Sequence, residues 1–148
     1  MKQKILFVCH GNICRSPMAE FIMKKLVKDA GREDEFEIAS AATSTEEIGN
    51  DIYPLAKACL LKHGISFTPR EARQVTCSDY DYYDRIFLMD RNNLCWLRNV
   101  LPEVKDERGK IQLLMSLTGS NCDVADPWYT GDFERTYQDI TEALSHLL

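Results

Sequence analysis

The chain begins with a short unbroken run of hydrophobic residues rather than an alternating pattern. Residues 5–8 are all apolar, which is typical of a strand covered on both faces of its sheet. A tight loop follows, and Ser16-Pro17 then predicts the start of a helix, with Ser16 as its N-cap. Apolar residues recur at helical spacing from there to Gly31. The pattern therefore predicts a strand, a loop and a helix in that order.

The remaining pattern continues to alternate between strands and helices. Further strands are predicted at residues 36–39, 85–89 and 110–115, and further helices at residues 52–62, around 93–97 and at 133–148. This alternation indicates an α/β fold, with a four-stranded parallel sheet flanked by helices on both faces and a single domain spanning residues 1–148. Ligands of such sheets bind beyond the carboxyl ends of the strands, which is where Cys9 falls.

Composition narrows the class of protein. The 148 residues are 45% hydrophobic and 28% charged, as in ordinary soluble globular proteins, and the net charge of -5 disfavours nucleic acids and anionic membranes as partners. No signal peptide or bilayer-spanning stretch is recognisable. The six cysteines are widely spread, which favours free thiols over a disulfide framework. The sequence thus predicts a cytoplasmic protein.

The loop after the first strand has the residue types that bind a phosphate dianion. Gly11 and Asn12 readily adopt the left-handed conformations that curl backbone amides into an anion-binding nest. Five residues separate Cys9 from Arg15, enough to wrap once around a phosphate whose oxygens Arg15 can bind with its planar fork. The predicted phosphate-binding loop comprises Cys9, His10, Gly11, Asn12, Ile13, Cys14, Arg15 and Ser16.

Cys9 is the candidate nucleophile of this loop. A thiol at a helix N-terminus, surrounded by amides and close to an arginine, becomes a thiolate near neutral pH. Ser16 can donate a hydrogen bond to the sulfur and ease its departure from phosphorus. The alternative is that Cys9 is a small buried apolar residue at a strand end. The strand, the Gly-Asn turn and the spaced arginine occur together, which favours the catalytic interpretation.

This segment resembles the Cys-x5-Arg-Ser phosphate loop of the low-molecular-weight protein-tyrosine-phosphatase family. The resemblance extends over essentially the whole chain and includes the Gly-Asn pair, the second cysteine and the Ser-Pro. It implies hydrolysis of phosphotyrosine and aryl phosphates through a phosphocysteine, without a cofactor or a metal. It also implies inhibition by phosphate and other oxyanions, and a monomer or weak dimer.

A general acid must protonate the leaving oxygen, and Asp126 in Asp126-Pro127 is the best candidate. Asp-Pro alone is a common turn, but the family places its acid in a late Asp-Pro-Tyr-Tyr segment that Asp126 matches. Trp128 and Tyr129 follow as possible walls of an aromatic slot, or as a small satellite cluster. Trp128 stands where the family usually has tyrosine, so regulation by phosphorylation there is not implied.

The resemblance also assigns supporting residues and shows departures. Asn12 and Ser40 match members of a hydrogen-bond network that holds the loop, and Asp90 matches a residue that orients the arginine; a helix cap is the alternative for Asp90. Arg70 stands where the family often has a histidine in that network. Glu46 stands where many members have an aromatic residue at the rim, so it could disfavour acidic peptides.

Cys14 is predicted to be a redox partner of Cys9, able to trap an oxidised sulfur as a disulfide, with a buried apolar loop residue as the alternative. The other cysteines show no metal-ligand spacing, so no metal is predicted.

Rival functions are arsenate reduction, a phosphocysteine carrier and a phosphate-binding module without turnover. Arsenate reduction needs a further cysteine pair, and residues 88–95 contain only one cysteine.

Overall fold

A computed structural model describes residues 2–148. Four strands form one parallel sheet in the order β2-β1-β3-β4, which confirms the predicted α/β fold. The strands are β1 (Gln3–Cys9), β2 (Phe36–Ala42), β3 (Arg85–Leu88) and β4 (Ile111–Leu113). β4 is shorter than predicted because the chain turns into a 3-10 helix at Leu114–Thr118.

Within the described residues, six α-helices surround the sheet: α1 (Arg15–Asp29), α2 (Pro54–Lys62), α3 (Cys77–Tyr82), α4 (Arg91–Val100), α5 (Pro127–Thr130) and α6 (Phe133–Ser145). Two of them, α3 and α5, are absent from the sequence prediction. α3 has no long apolar stripe and is held by a capping box between Thr76 and Asp79. α5 is a single turn capped by Asp126.

The unbroken apolar run of β1 divides between two hydrophobic layers. Ile5 and Phe7 pack on one face, in a cluster with residues of α1, α2 and α6. Leu6 and Val8 pack on the other, in a cluster with residues of α3 and α4. All four side chains are fully buried, so helices cover both faces of the sheet as predicted.

The start of α1 differs from the prediction. The helix begins at Arg15, and its N-cap is Cys14, which makes no side-chain cap hydrogen bond. Ser16 is the second helical residue and is completely buried, so the predicted N-cap is wrong. The Ser16 hydroxyl is used instead by the loop, as described below. Across residues 2–148, every helix is too short or too polar to cross a bilayer.

Candidate functional site

Three groups surround the Cys9 sulfur. Cys9 is the last residue of β1, and the loop that follows curls back over it before α1 begins. The backbone amides of Asn12 and Ser16 donate hydrogen bonds to Cys9 Sγ at 3.3 and 3.4 Å. Ser16 Oγ lies 3.0 Å from the same sulfur. Donors in this arrangement stabilise a negative charge on sulfur.

Only one of the two residues predicted to be left-handed adopts that conformation. Asn12 has φ 59°, whereas the φ of Gly11 is not positive. Gly11 avoids a close contact instead: a Cβ there would lie 3.3 Å from Glu47 Cγ, so the Glu47 side chain would have to shift. The left-handed turn is therefore at Asn12, and the missing side chain of Gly11 lets the loop pass close to Glu47.

A buried hydrogen-bond network holds Asn12 and Ser16. Asn12 Nδ2 donates to Ser16 Oγ at 2.7 Å and to Ser40 Oγ at 2.9 Å. Ser16 Oγ accepts from Asn12, and its own proton has two acceptors within reach, the Ala41 carbonyl at 3.4 Å and Cys9 Sγ at 3.0 Å. Ser40 Oγ in turn donates to Glu20 Oε1 at 2.6 Å. The sequence indicated Ser40 but gave no signal for Glu20, which lies on the exposed side of the network.

Two arginines donate hydrogen bonds to the oxygens of Asn12, one to its backbone carbonyl and one to its side chain. Arg70 Nη2 donates to the Asn12 carbonyl oxygen at 2.6 Å, and Arg70 Nη1 donates to the Asn50 carbonyl at 3.2 Å. The backbone N–H of Arg73 donates to Asn12 Oδ1 at 3.3 Å. Arg70 therefore contacts the loop directly from the position where the family often has histidine. Arg73 contributes only its backbone, which explains why its residue type gave no signal.

Arg15 is buried, with only 3% of its surface exposed, and hydrogen bonds fix the orientation of its guanidinium. Nη1 donates to Asp90 Oδ2 at 2.7 Å and to the Val124 carbonyl at 3.0 Å. Nη2 donates to Asp126 Oδ2 at 3.3 Å. Burial alone would lower the pKa of Arg15, but the negative charges at Cys9 and the two carboxylates raise it. The guanidinium is thus a permanent positive charge beside the sulfur.

Asp90 both orients Arg15 and caps α4, the two roles that the sequence left as alternatives. Its Oδ2 accepts from Arg15, while its Oδ1 accepts from the Asn93 backbone N–H at 2.7 Å. Asn93 Oδ1 accepts from the Asp90 N–H at 3.2 Å, which completes a capping box on α4. One carboxylate therefore caps a helix and orients the arginine.

Asp126 lies where the chain enters α5. Its Oδ1 accepts from the Trp128 N–H at 3.0 Å, so the Asp-Pro segment is a helix start. Its side chain is 27% exposed, so that it can reach both Arg15 and solvent. Trp128 and Tyr129 are 59% and 85% exposed, and Trp128 packs edge-on against Tyr53 with 5.2 Å between ring centroids.

Residues of the phosphate-binding loop, of α4 and of the segment that leads into α5 line one cavity of about 670 Å³. The lining includes Cys9, His10, Gly11, Ile13, Cys14, Arg15, Glu46, Asp126, Trp128 and Tyr129. Trp96, on α4, also lines it and is 51% exposed. His10 Nε2 lies 3.1 Å from Glu46 Oε2, and its ring packs edge-on against Trp96 at 6.2 Å. Trp96 was not predicted from the sequence; it lies in the middle of α4, the helix that follows β3 from the carboxyl edge of the sheet.

Comparison with known proteins gives a consistent result. The profile described as low molecular weight phosphotyrosine protein phosphatase matches residues 4–148. The chain is 44% identical over 149 residues to the low molecular weight phosphotyrosine protein phosphatase of Gallus gallus, covering 99% of this chain and 94% of the chicken protein.

Two solved structures share the fold closely. The crystal structure of YfkJ from Bacillus subtilis superposes with a TM-score of 0.92 at 38% identity, covering 99% of this chain and 92% of YfkJ. DARP, a Drosophila arginine phosphatase, superposes with a TM-score of 0.87 at 32% identity, covering 99% of this chain and 95% of DARP. The chain belongs to the low molecular weight phosphotyrosine protein phosphatase family.

Proposed function

We propose that residues 1–148 form one phosphatase domain that hydrolyses phosphotyrosine and aryl phosphate monoesters through a phosphocysteine at Cys9. The observation that carries the proposal is the convergence of three groups in one cavity. The Cys9 sulfur faces two amides and a hydroxyl, the Arg15 guanidinium is fixed beside it, and the Asp126 carboxylate lies within 3.3 Å of that guanidinium. Family membership supports the same chemistry.

The proposed first step transfers the phosphoryl group to sulfur. The amides of the loop and Arg15 bind the phosphate oxygens, and the Asp126–Arg15 contact opens so that Nη2 can face the phosphate. The Cys9 thiolate attacks phosphorus, and the phosphorus–oxygen bond of the leaving group breaks. Protonated Asp126 gives its proton to the departing phenoxide.

The second step releases phosphate. Asp126, now a carboxylate, takes a proton from water as the water attacks phosphorus and the sulfur–phosphorus bond breaks. The Ser16 hydroxyl lies 3.0 Å from Cys9 Sγ and stabilises the sulfur as it departs. Inorganic phosphate then occupies the loop, so phosphate and similar oxyanions are expected to inhibit competitively.

The cavity favours an aromatic substrate. Trp128, Tyr129 and Trp96 supply apolar surface at its mouth, against which a phenyl ring can pack. A phosphoserine side chain is too short to use these surfaces while its phosphate lies in the loop. Glu46 and Glu47 add negative charge to the lining, so substrates with acidic flanking residues are expected to be poorer.

The proposal is tested by steady-state hydrolysis in chelator, with phosphate release as the readout. The substrates are p-nitrophenyl phosphate and matched peptides carrying phosphotyrosine, phosphoserine or phosphoarginine. Thiol-dependent arsenate reduction is assayed separately, by the formation of arsenite. We expect turnover of the two aryl phosphates, well above that of phosphoserine. A preference for phosphoarginine would instead indicate an arginine phosphatase, as DARP is. Phosphate binding without any turnover would contradict the enzyme assignment and favour a carrier or binding module.

Removing the charge of Asp90 should weaken phosphate binding without unfolding the protein. Asp90→Asn keeps an oxygen for the α4 cap but loses a charge-assisted hydrogen bond to Arg15. Such a bond contributes about 1.5–3 kcal/mol, so kcat/KM should fall by roughly tenfold to a hundredfold, and the loss of a charged partner of the buried guanidinium should also lower the Tm. The control is Thr76→Ala, which removes the α3 cap and should cost about 1 kcal/mol of stability with unchanged kinetics. Equal kinetic losses in both variants would contradict the orienting role.

Arg70 should be required to hold the loop rather than to bind substrate. Arg70→Ala removes the 2.6 Å hydrogen bond to the left-handed Asn12, so the amide that faces Cys9 becomes less well fixed. We expect kcat to fall by about tenfold, with partial rescue by Arg70→Lys. The control is Arg85→Ala, which loses a hydrogen bond to Gln112 at the opposite edge of the sheet. Wild-type kcat in Arg70→Ala would contradict the role.

Oxidation should inactivate the enzyme reversibly through Cys14. Burial, together with the negative charges at Cys9 and Asp126, raises the pKa of Cys14 to about 12, so Cys9 is expected to be oxidised first. Wild type treated with peroxide should recover activity in dithiothreitol, whereas Cys14→Ser should lose it permanently. Cys122→Ser, at an exposed thiol, is the control and should recover like wild type. Full recovery of Cys14→Ser would contradict a Cys9–Cys14 disulfide.

A further inference from the structure

Three side chains that commonly bind metals lie together outside the cavity. Cys59 belongs to the last turns of α2, His63 is the C-cap of that helix, and Glu134 belongs to the first turn of α6. One ligand atom from each lies within 4.8 Å of the others. His63 Nε2 is 2.9 Å from both Glu134 carboxylate oxygens, and Cys59 Sγ is 3.8 Å from Oε1.

We propose that this cluster binds one divalent transition-metal ion of the zinc type. Cys59 Sγ, His63 Nε2 and a Glu134 oxygen would be its protein ligands, with water completing a tetrahedral site. Sulfur, imidazole nitrogen and carboxylate oxygen are the three ligand types of protein zinc sites, at about 2.0–2.3 Å from the ion. Ligand atoms of one tetrahedral site must lie roughly 3–4 Å apart at those bond lengths. His63 Nε2 and Cys59 Sγ lie 2.9 and 3.8 Å from the same oxygen, Glu134 Oε1, and all three atoms lie within 4.8 Å of one another, so small side-chain shifts complete the geometry.

The surrounding structure holds these ligands in place. Cys59 and His63 are four residues apart, which places them on the same face of the helix end. The His63 ring stacks on Tyr137, with 3.7 Å between ring centroids and 7° between planes, so its orientation is fixed. Cys59 is only 6% exposed, whereas the His63 and Glu134 side chains are 28% and 37% exposed. The ion therefore has a route from solvent and room for a water ligand.

Three protein groups must change when the ion binds. The Nε2–H of His63, which donates to the Glu134 carboxylate, is released to solvent, and any remaining ring proton stays on Nδ1, so that the Nε2 lone pair faces the ion. The Cys59 thiol, which lies 3.6 Å from the Phe133 carbonyl, loses its proton to solvent and binds as a thiolate. Lys62 Nζ, 3.3 Å from Glu134 Oε1, moves away into solvent, where its side chain is already 69% exposed. The sequence predicted no metal because Glu134 lies 71 residues from His63, and only the docking of α2 against α6 brings them together.

The test is titration of Co²⁺ and Zn²⁺ into full-length protein in which Cys9→Ser removes the active-site thiolate. We expect one equivalent of Co²⁺ to give the visible bands of tetrahedral cobalt and a sulfur-to-cobalt charge-transfer band, both displaced by Zn²⁺. Adding His63→Ala or Glu134→Gln should weaken binding by at least about tenfold, and adding Cys59→Ser should abolish the charge-transfer band. Zn²⁺ should raise the Tm of Cys9→Ser but not of Cys9→Ser/His63→Ala.

Cys9→Ser/Cys122→Ser is the control, since Cys122 is exposed and lies outside the cluster, and its titration should match that of Cys9→Ser. Absence of a sulfur band would overturn the proposal. So would a band that survives Cys59→Ser, because the thiolate ligand would then lie elsewhere. His63→Ala and Glu134→Gln change partly exposed side chains, so they keep the proposal testable if Cys59→Ser fails to fold.

Discussion

Cys9→Ser is expected to lower kcat for every phosphate ester by about 10⁴-fold or more, because loss of a catalytic nucleophile has effects of that order. Serine keeps the size of the side chain and its position at the end of β1. Its hydroxyl, however, is a far weaker nucleophile than a thiolate. The donors from Asn12, Ser16 and Arg15 are unchanged, so the variant should still bind inorganic phosphate.

The matched control is Cys95→Ser, at an exposed thiol on α4. It should keep wild-type kcat, and it also tests whether the only cysteine of residues 88–95 takes part in turnover. Substantial activity in Cys9→Ser, with its phosphate affinity intact, would mean that another group attacks phosphorus. If Cys9→Ser loses both activity and its folding transition, Cys9→Ala, which buries no hydroxyl at this position, would separate the two effects.

Asp126→Asn is expected to lower kcat for phosphotyrosine by about 10²–10⁴-fold, the usual contribution of a general acid. Asparagine keeps an oxygen for the hydrogen bond from the Trp128 N–H, so α5 and the aromatic wall should be preserved. The loss should be smaller for the phosphorylation step with p-nitrophenyl phosphate, because nitrophenolate can depart without protonation. A measurement of single-turnover rates on both substrates separates this step from hydrolysis.

Asp132→Asn is the control, because Asp132 is a nearby acid that caps α6 through the Arg135 N–H at 3.0 Å. It should leave both rates unchanged. An equal loss on both substrates in the single-turnover experiment would show that Asp126 acts mainly through its contact with Arg15. No loss in Asp126→Asn would assign proton transfer to a different group.

The sequence was sufficient to predict the phosphate-binding loop, because its main functional residues lie in one short segment. Cys9, Asn12 and Arg15 lie within seven residues, so their spacing, residue types and position after an apolar strand predicted the loop. The same local reasoning misassigned two neighbours. Gly11 was predicted to be left-handed and Ser16 to be an N-cap. Gly11 instead lets the loop pass close to Glu47, and Ser16 lies inside α1, where it makes the contact with Cys9 Sγ that was also predicted for it.

Sequence was insufficient where distant segments meet. The Val124 carbonyl that holds Arg15 is 109 residues away from it, and a backbone carbonyl has no residue-type signal. Arg70 and Arg73, from one further segment, and Glu20, from α1, support the loop, and their types are common on any surface. Asp126 could be ranked above other acids only through resemblance, because Asp-Pro alone also describes an ordinary turn.

The phosphocysteine can be observed by rapid acid quenching of Asp126→Asn during turnover of p-nitrophenyl phosphate, followed by peptide mass spectrometry. Slow breakdown in this variant should let the intermediate accumulate. We expect one phosphoryl group per chain on the peptide that contains Cys9, and none when Cys9→Ser is added. Steady turnover with an unmodified Cys9, or a phosphoryl group on another residue, would contradict the phosphocysteine mechanism.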